Sequence, residues 1–257
     1  MNYINNLFRY RNLLSYLVLR DVKVKYRRSF LGFTWSILNP LLMMAVIVTV
    51  FQNVFKLNID NYPVYYLTGS IIYSFFSEAT NSSLTSVLTN ASLVKKVYIP
   101  KYIFPLEKCL FALVNALFSL VALVIVMIVL NVPFRLTSLL FVIPLLYSLI
   151  FIIGFSMIIT TMNMFFRDIS HLYSVFLSAL FYMTPIIYPA DAVPSQITIL
   201  FKFNPLYYYI TYLRELILYG YIPGLKFNLI CFIFSFGALI IGLFIFKKNQ
   251  DKFILYM

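Results

Sequence analysis

The chain has 257 residues, 62% of them hydrophobic and 11% charged, with a mean hydropathy of +0.91. That composition excludes an ordinary soluble domain, and the length is expected to hold one membrane domain over 1–257 with short connections. A net charge of +12 would suit nucleic acid, but the basic residues flank apolar stretches in the positive-inside pattern, which removes nucleic acid as the partner.

A hydrocarbon layer about 30 Å thick takes roughly 20 apolar helical residues per crossing. Six stretches are read as spans: 34–55, 62–84, 109–131, 139–162, 172–188 and 227–246. Peptide groups in hydrocarbon must be satisfied within the segment, so these runs are helices, and a barrel would show shorter alternating segments. The fold class is therefore all-α, a polytopic membrane protein with six transmembrane helices. Fifteen of the 20 Lys and Arg residues fall on one side: seven before the first span, Lys95, Lys96, Lys101 and Lys108 in the second loop, Arg167 in the fourth, and Lys247, Lys248 and Lys252 in the tail. The reading is a cytoplasmic-membrane protein with both termini cytoplasmic.

Along the chain, 1–33 is a polar and basic cytoplasmic region without the pattern of a secretory signal. Within it, 13–28 places Val18, Leu19, Val22 and Tyr26 on one helical side and Arg20, Lys23 and Arg27 roughly opposite, as in a helix lying in the headgroup layer against membrane lipids. Residues 22–27 also alternate with period two, a strand pattern, but a lone strand has no ladder partner. A Ser/Thr/Asn-rich run at 80–92 leads into a short basic segment, 93–101, and 165–171 is a second such loop. Between the last two spans, Pro194, Pro205, Gly220, Pro223 and Gly224 break an aromatic region. The run 206–219 is helical in pattern but too short to cross, so short re-entrant helices on the outer face are expected before the last span. This region is the gate candidate.

Several chemistries have no footing. No glycine is followed by Lys and Ser/Thr as in a phosphate-binding loop, and the sole histidine, His171, has no metal-spaced partner. Eight acidic residues are scattered and suggest no catalytic pair. No catalytic residue, metal site or bound cofactor is assigned, so the chain reads as a transporter subunit rather than an enzyme. Cys109 and Cys231 lie in apolar spans and read as free.

The run from Arg20 to Pro40, including Tyr26-Arg27-Arg28-Ser29-Phe30-Leu31-Gly32-Phe33-Thr34-Trp35, resembles the membrane subunits of ABC-2 type polysaccharide exporters. Asn163-Met164-Phe165-Phe166-Arg167-Asp168-Ile169, Met183-Thr184-Pro185-Ile186-Ile187-Tyr188 and Phe203-Asn204-Pro205-Leu206-Tyr207 match further family segments in order along the whole chain. The resemblance implies a homodimeric permease paired with two copies of a separate ABC ATPase, which would bind the ATP and Mg. It implies a dimer-interface channel for an undecaprenyl-linked glycan of O-antigen or capsular type. A teichoic-acid exporter of the same family and, from another class, an intramembrane lipid-modifying enzyme are the alternatives.

The candidate residues follow. Leu93, Val94, Lys95, Lys96, Tyr98, Arg167, Asp168 and His171 lie on the segments that would couple to the ATPase. Arg27 and Arg28, with Trp35 at the start of the first span, are the candidates for substrate intake. A guanidinium matches phosphate oxygens in a bidentate way, though topology and lipid anchoring are the more ordinary explanation of the two arginines. Tyr65, Tyr66, Tyr73, Pro205, Tyr207 and Tyr208 are channel or gate candidates, aromatic faces being suited to a sliding sugar polymer. Arg214 and Glu215 are ionisable groups in an apolar helix and so are gate candidates. As neighbours in sequence they do not face each other, and Arg214 is expected to find its partner elsewhere. Glu78 reads either as bordering a hydrated channel or as lying near the cytoplasmic interface.

Overall fold

Without water to satisfy them, the peptide groups of a lipid-embedded chain close their hydrogen bonds within helices, and every element in the described residues is helical. The computed structural model describes residues 9–25, 27, 29, 31–56, 59–97 and 99–256. In chain order the helices are α1 (Arg11–Lys25), α2 (Trp35–Val48), α3 (Tyr62–Thr89), α4 (Ala91–Lys96), α5 (Ile103–Val129), α6 (Val142–Phe165), α7 (Ile169–Met183), α8 (Ser195–Lys202), α9 (Pro205–Arg214) and α10 (Leu225–Asn249). Helix α2 continues as a π-helical turn over Thr49–Val54, and α9 does so over Glu215–Tyr219.

Among the described residues, four helical runs are long and apolar enough to cross a bilayer: Gly32–Val54, Ile103–Val129, Leu136–Phe165 and Leu225–Leu255. Helix α3 has the length, 28 residues, but its second half is rich in Ser, Thr and Asn. Its neighbours absorb that polarity. Thr160 on α6 donates to the Ser83 carbonyl at 2.9 Å, Asn163 donates to that of Leu84 at 3.0 Å, and Tyr173 on α7 donates to Thr80 at 2.6 Å. Such interhelical bonds hold helices together where apolar burial supplies little driving force.

Helix α7 differs from the sequence expectation of 172–188. It spans 15 residues, about 22 Å at 1.5 Å per residue. The cause is Pro185, which drives the preceding Thr184 into an extended conformation (φ −105°, ψ 133°) and ends the helix. Residues 184–188 then form an irregular turn.

Two apolar clusters result. The larger fills the space between α3, α5, α6 and α9, with Phe75, Phe76, Ile72 and Tyr209 almost wholly buried. The smaller gathers Leu17, Val87, Phe104, Met157, Phe246 and Phe253 at the end that carries the basic loops, here the inner end. Helices α6 and α10 meet backbone to backbone: a Cβ at Gly154 would strike Ala238 and Leu239, and one at Gly242 would strike Gly154. Small residues four apart, Ala238 and Gly242, permit this close approach.

Helix α1 lies against α5 through Leu17 and Val22, but Leu19 is exposed. The buried stripe runs through Leu13, Leu14, Leu17, Val18 and Val22, rotated from the side the sequence suggested. The rotation follows from Asp21, which faces inward, accepts from Lys108 of α5 and pairs with Arg20 at 2.8 Å. Burial raises the Asp21 carboxyl, but Lys108 and Arg20 outweigh it and hold the group below its ordinary value.

Candidate functional site

Two concavities lie at different depths of the bundle, and both collect residues from distant parts of the chain. The inner groove, about 370 Å³, lies among α1, α2, α3 and α5. Helix α2 contributes Trp35, Asn39 and Pro40; α3 contributes Tyr66, Ser70, Tyr73 and Glu78; Asn115 and Ser119 come from α5 and Phe181 from α7. Lys25, at the last turn of α1, donates to Glu78 at 2.7 Å, and Asn115 donates to the same carboxylate oxygen at 2.9 Å. The ion pair is partly exposed on both sides, so it is screened and gives little net stability. Tyr73 donates to the Leu177 carbonyl and meets Phe181 edge to face at 5.1 Å. The groove is amphipathic, with a polar floor and aromatic walls.

The outer pocket, about 450 Å³, is formed by the start of α3, the turn after α7 and the α9 helix with its π-helical turn. Its anchor is Arg214, 6% exposed. One terminal nitrogen donates to the Tyr65 hydroxyl at 2.9 Å and the Pro185 carbonyl at 2.7 Å. The other donates to the Tyr65 and Ile186 carbonyls at 3.3 and 3.2 Å. The guanidinium carbon stands 3.5 Å over the Tyr65 ring. Among the described residues no carboxylate pairs with Arg214, and its Nε is buried without a partner. The cation is thus held by dipoles and a π face. Gly69 makes the space: a Cβ there would lie 2.8 Å from a terminal nitrogen of Arg214. Tyr62 and Tyr65 donate to the Ile187 and Tyr188 carbonyls at 2.8 and 3.0 Å, so α3 is tied directly to the post-α7 turn at two places, and Arg214 bridges them from α9.

At the inner surface, α4 turns Leu93 and Val94 toward the smaller cluster and leaves Lys95, Lys96 and Val97 exposed. Arg167, Asp168 and His171 are exposed on the loop before α7 and its first turn. The C-terminal 3-10 turn, Gln250–Leu255, joins the two segments. Lys101 donates to the Gln250 carbonyl and lies over the Phe253 ring, while Arg167 donates to the Tyr256 carbonyl and Phe165 meets the Tyr256 ring. Burial lowers the Lys101 ammonium below its ordinary value, with Asp251 opposing.

The structure therefore sorts the sequence candidates. Trp35, Tyr66 and Tyr73 meet in the inner groove, whereas Tyr65, Tyr207, Arg214 and Glu215 meet in the outer pocket. Tyr208 turns away toward Phe227 and Phe234 of α10. Pro205 opens α9, where Asn204 caps the Leu206 N–H at 3.0 Å, and lines a separate apolar groove with Phe76 and Phe151. Arg27 is exposed and outside the groove lining. Arg28 and Tyr98 lie outside the described residues. Sequence reasoning missed Lys25, Asn115, Asp191, Tyr219, Tyr221 and the C-terminal turn. Asn115 carried a usable signal, a lone amide inside an apolar span; Lys25 did not stand out among the seven basic residues before the first span.

The family model described as ABC-2 type transporter matches residues 12–218. An O-antigen export system permease protein, RfbA, of Klebsiella pneumoniae is 32% identical over 94% of this chain and 93% of its own length. A protein of the same name from Myxococcus xanthus is 29% identical, over 75% of this chain and 74% of its own. The polysialic acid transport protein KpsM of Escherichia coli is 24% identical over 91% of this chain and 92% of its own.

Proposed function

Because this chain belongs to the ABC-2 type transporter family, we propose that it is the permease through which O-antigen or capsular polysaccharide leaves the cytoplasm. Near full-length similarity to an O-antigen export permease carries this reading. The sequence has no phosphate-binding loop, which supports a separate ATPase as the source of power. The exposed apolar faces of α2 (Leu42, Met43, Val46) and α7 (Leu172, Val175, Phe176) support a second copy packing there, with six crossings per copy and the conduit between copies.

In this scheme the ATPases dock at the inner surface built from α4, the loop before α7 and the C-terminal turn. Their closure moves these segments together, because Lys101 and Arg167 tie both to the tail. The inner groove takes the lipid-linked end of the glycan: Lys25 exchanges its partly exposed pairing with Glu78 for a phosphate, Arg27 adds positive charge from outside the lining, and Trp35 and Tyr73 supply aromatic walls. At the other end α8 and α9 close the path, with Arg214 as the tie that holds α9 to α3 and to the turn after α7.

Inactivating the gene and restoring it on a plasmid tests the export role. The outcome anticipated is loss of surface polysaccharide with accumulation of glycan inside the cell, reversed by the plasmid. Unchanged surface polysaccharide in the inactivated strain would refute it.

A further inference from the structure

The outer pocket holds chemistry that closing a gate does not require. Besides the Arg214 tie, Tyr207, Tyr219, Tyr221, Thr211, Asp191 and Glu215 line it. Tyr221 and Tyr219 are 72% and 51% exposed, and neither acid takes part in an ion pair among the described residues. Aromatic planes, a hydroxyl and two carboxylate acceptors in about 450 Å³ fall within the size range of small-molecule sites, about 300–1,000 Å³. We infer that this pocket is a subsite for a neutral, hydroxyl-bearing sugar ring. The inference rests on the export reading above and narrows the substrate there to an uncharged stretch of glycan.

The match is chemical. A sugar ring has a face of C–H groups that packs on tyrosine and an edge of hydroxyls that donates. Carboxylates accept from hydroxyls in charge-assisted bonds, roughly twice as strong as neutral ones. An acidic sugar would meet Asp191 and Glu215 as like charges. Arg214 offers it little, because its terminal nitrogens are already engaged by Tyr65, Pro185 and Ile186. A metal ion is a poorer occupant, since no group of three or more His, Cys, Asp or Glu residues gathers among the described residues. The inner groove makes the contrast clear, because its carboxylate, Glu78, is already neutralised by Lys25 at 2.7 Å.

The test uses the full chain in lipid nanodiscs and saturation-transfer NMR with two probes, neutral mannohexaose and α2,8-linked tetrasialic acid. Mannohexaose should give a signal, and Tyr221→Ala and Asp191→Asn, both at exposed positions, should each weaken its affinity by about fivefold, the weight of one lost contact. Tetrasialic acid should bind the unaltered chain at least about tenfold more weakly, and the Asp191→Asn/Glu215→Gln double variant should close that gap. A mannohexaose signal that is absent, or an affinity that Tyr221→Ala leaves unchanged, overturns the subsite, as does a gap that is absent or does not close. Such a result alongside normal export would leave the permease role standing, whereas failure of the gene-inactivation test would remove both.

Discussion

The inner groove and the outer pocket each set one cation among aromatic side chains, yet they hold it by opposite means. Lys25 meets Glu78 in a partly exposed ion pair, with Asn115 completing the carboxylate's coordination. Arg214 is almost fully buried and relies on three carbonyls, one phenol and a ring face. The difference follows from water. Near water an ion pair forms and breaks cheaply, which suits the headgroup intake proposed for this groove. Away from water, losing any one acceptor leaves a desolvated donor behind, which suits the all-or-none closure proposed for Arg214.

The sharpest way to break this comparison is Arg214→Ala. It strips the donor from Tyr65, Pro185 and Ile186 together and should cost about 2–4 kcal/mol in thermal stability in detergent, with ion leakage in reconstituted vesicles. Arg214→Lys should fail to rescue, because an ammonium cannot reach four acceptors as a planar fork does. A tight, stable Arg214→Ala variant would remove the gate role. Gly69→Ala comes next: its new methyl presses on the guanidinium and should cost about 1–3 kcal/mol, with the same leak. Normal stability would show that the fork yields easily.

At the inner groove, Glu78→Gln should change stability by less than about 1 kcal/mol while slowing export, measured as the rate at which surface polysaccharide reappears. A stability loss as large as that of Arg214→Ala would erase the contrast between the two sites. The smallest effect concerns Asp21. Its folded value is depressed, so its contribution is present above the ordinary carboxylate range and is lost as pH falls through the lower folded value. Proteolytic protection of α1 should therefore be flat from pH 8 to 5, limits set well above the ordinary carboxyl value of about 3.9, and should fall in stronger acid. Release of α1 within the neutral window would mean another group anchors it.

Much of this was legible beforehand because a bilayer simplifies the problem. Length and apolarity alone mark α2, α5, α6 and α10, and Asn204-Pro205 with Gly220 bracket the α9 region, where Asn204 does cap and Gly220 does take a left-handed φ of +73°. The pairing of Arg214 was less legible. A partner was expected, and a carboxylate is the ordinary choice, but two of the acceptors are the Pro185 and Ile186 carbonyls where α7 breaks, and the others are the hydroxyl and carbonyl of Tyr65. Main-chain acceptors leave no trace in side-chain patterns. The facing side of α1 was likewise misjudged at Leu19, because one inward carboxylate, Asp21, turned the helix toward Lys108.

Sequence by itself determined the all-helical membrane character, the basic end and the family, since each depends on composition, local period or ordered short segments. The tertiary structure alone decided that Tyr66 and Tyr73 serve one cavity while Tyr65 serves another, and that Lys25 and Glu78, 53 positions apart, share a proton-bearing contact. The reason is geometric. Adjacent helical residues point about 100° apart, so which cavity each tyrosine enters depends on where the neighbouring helices come to rest.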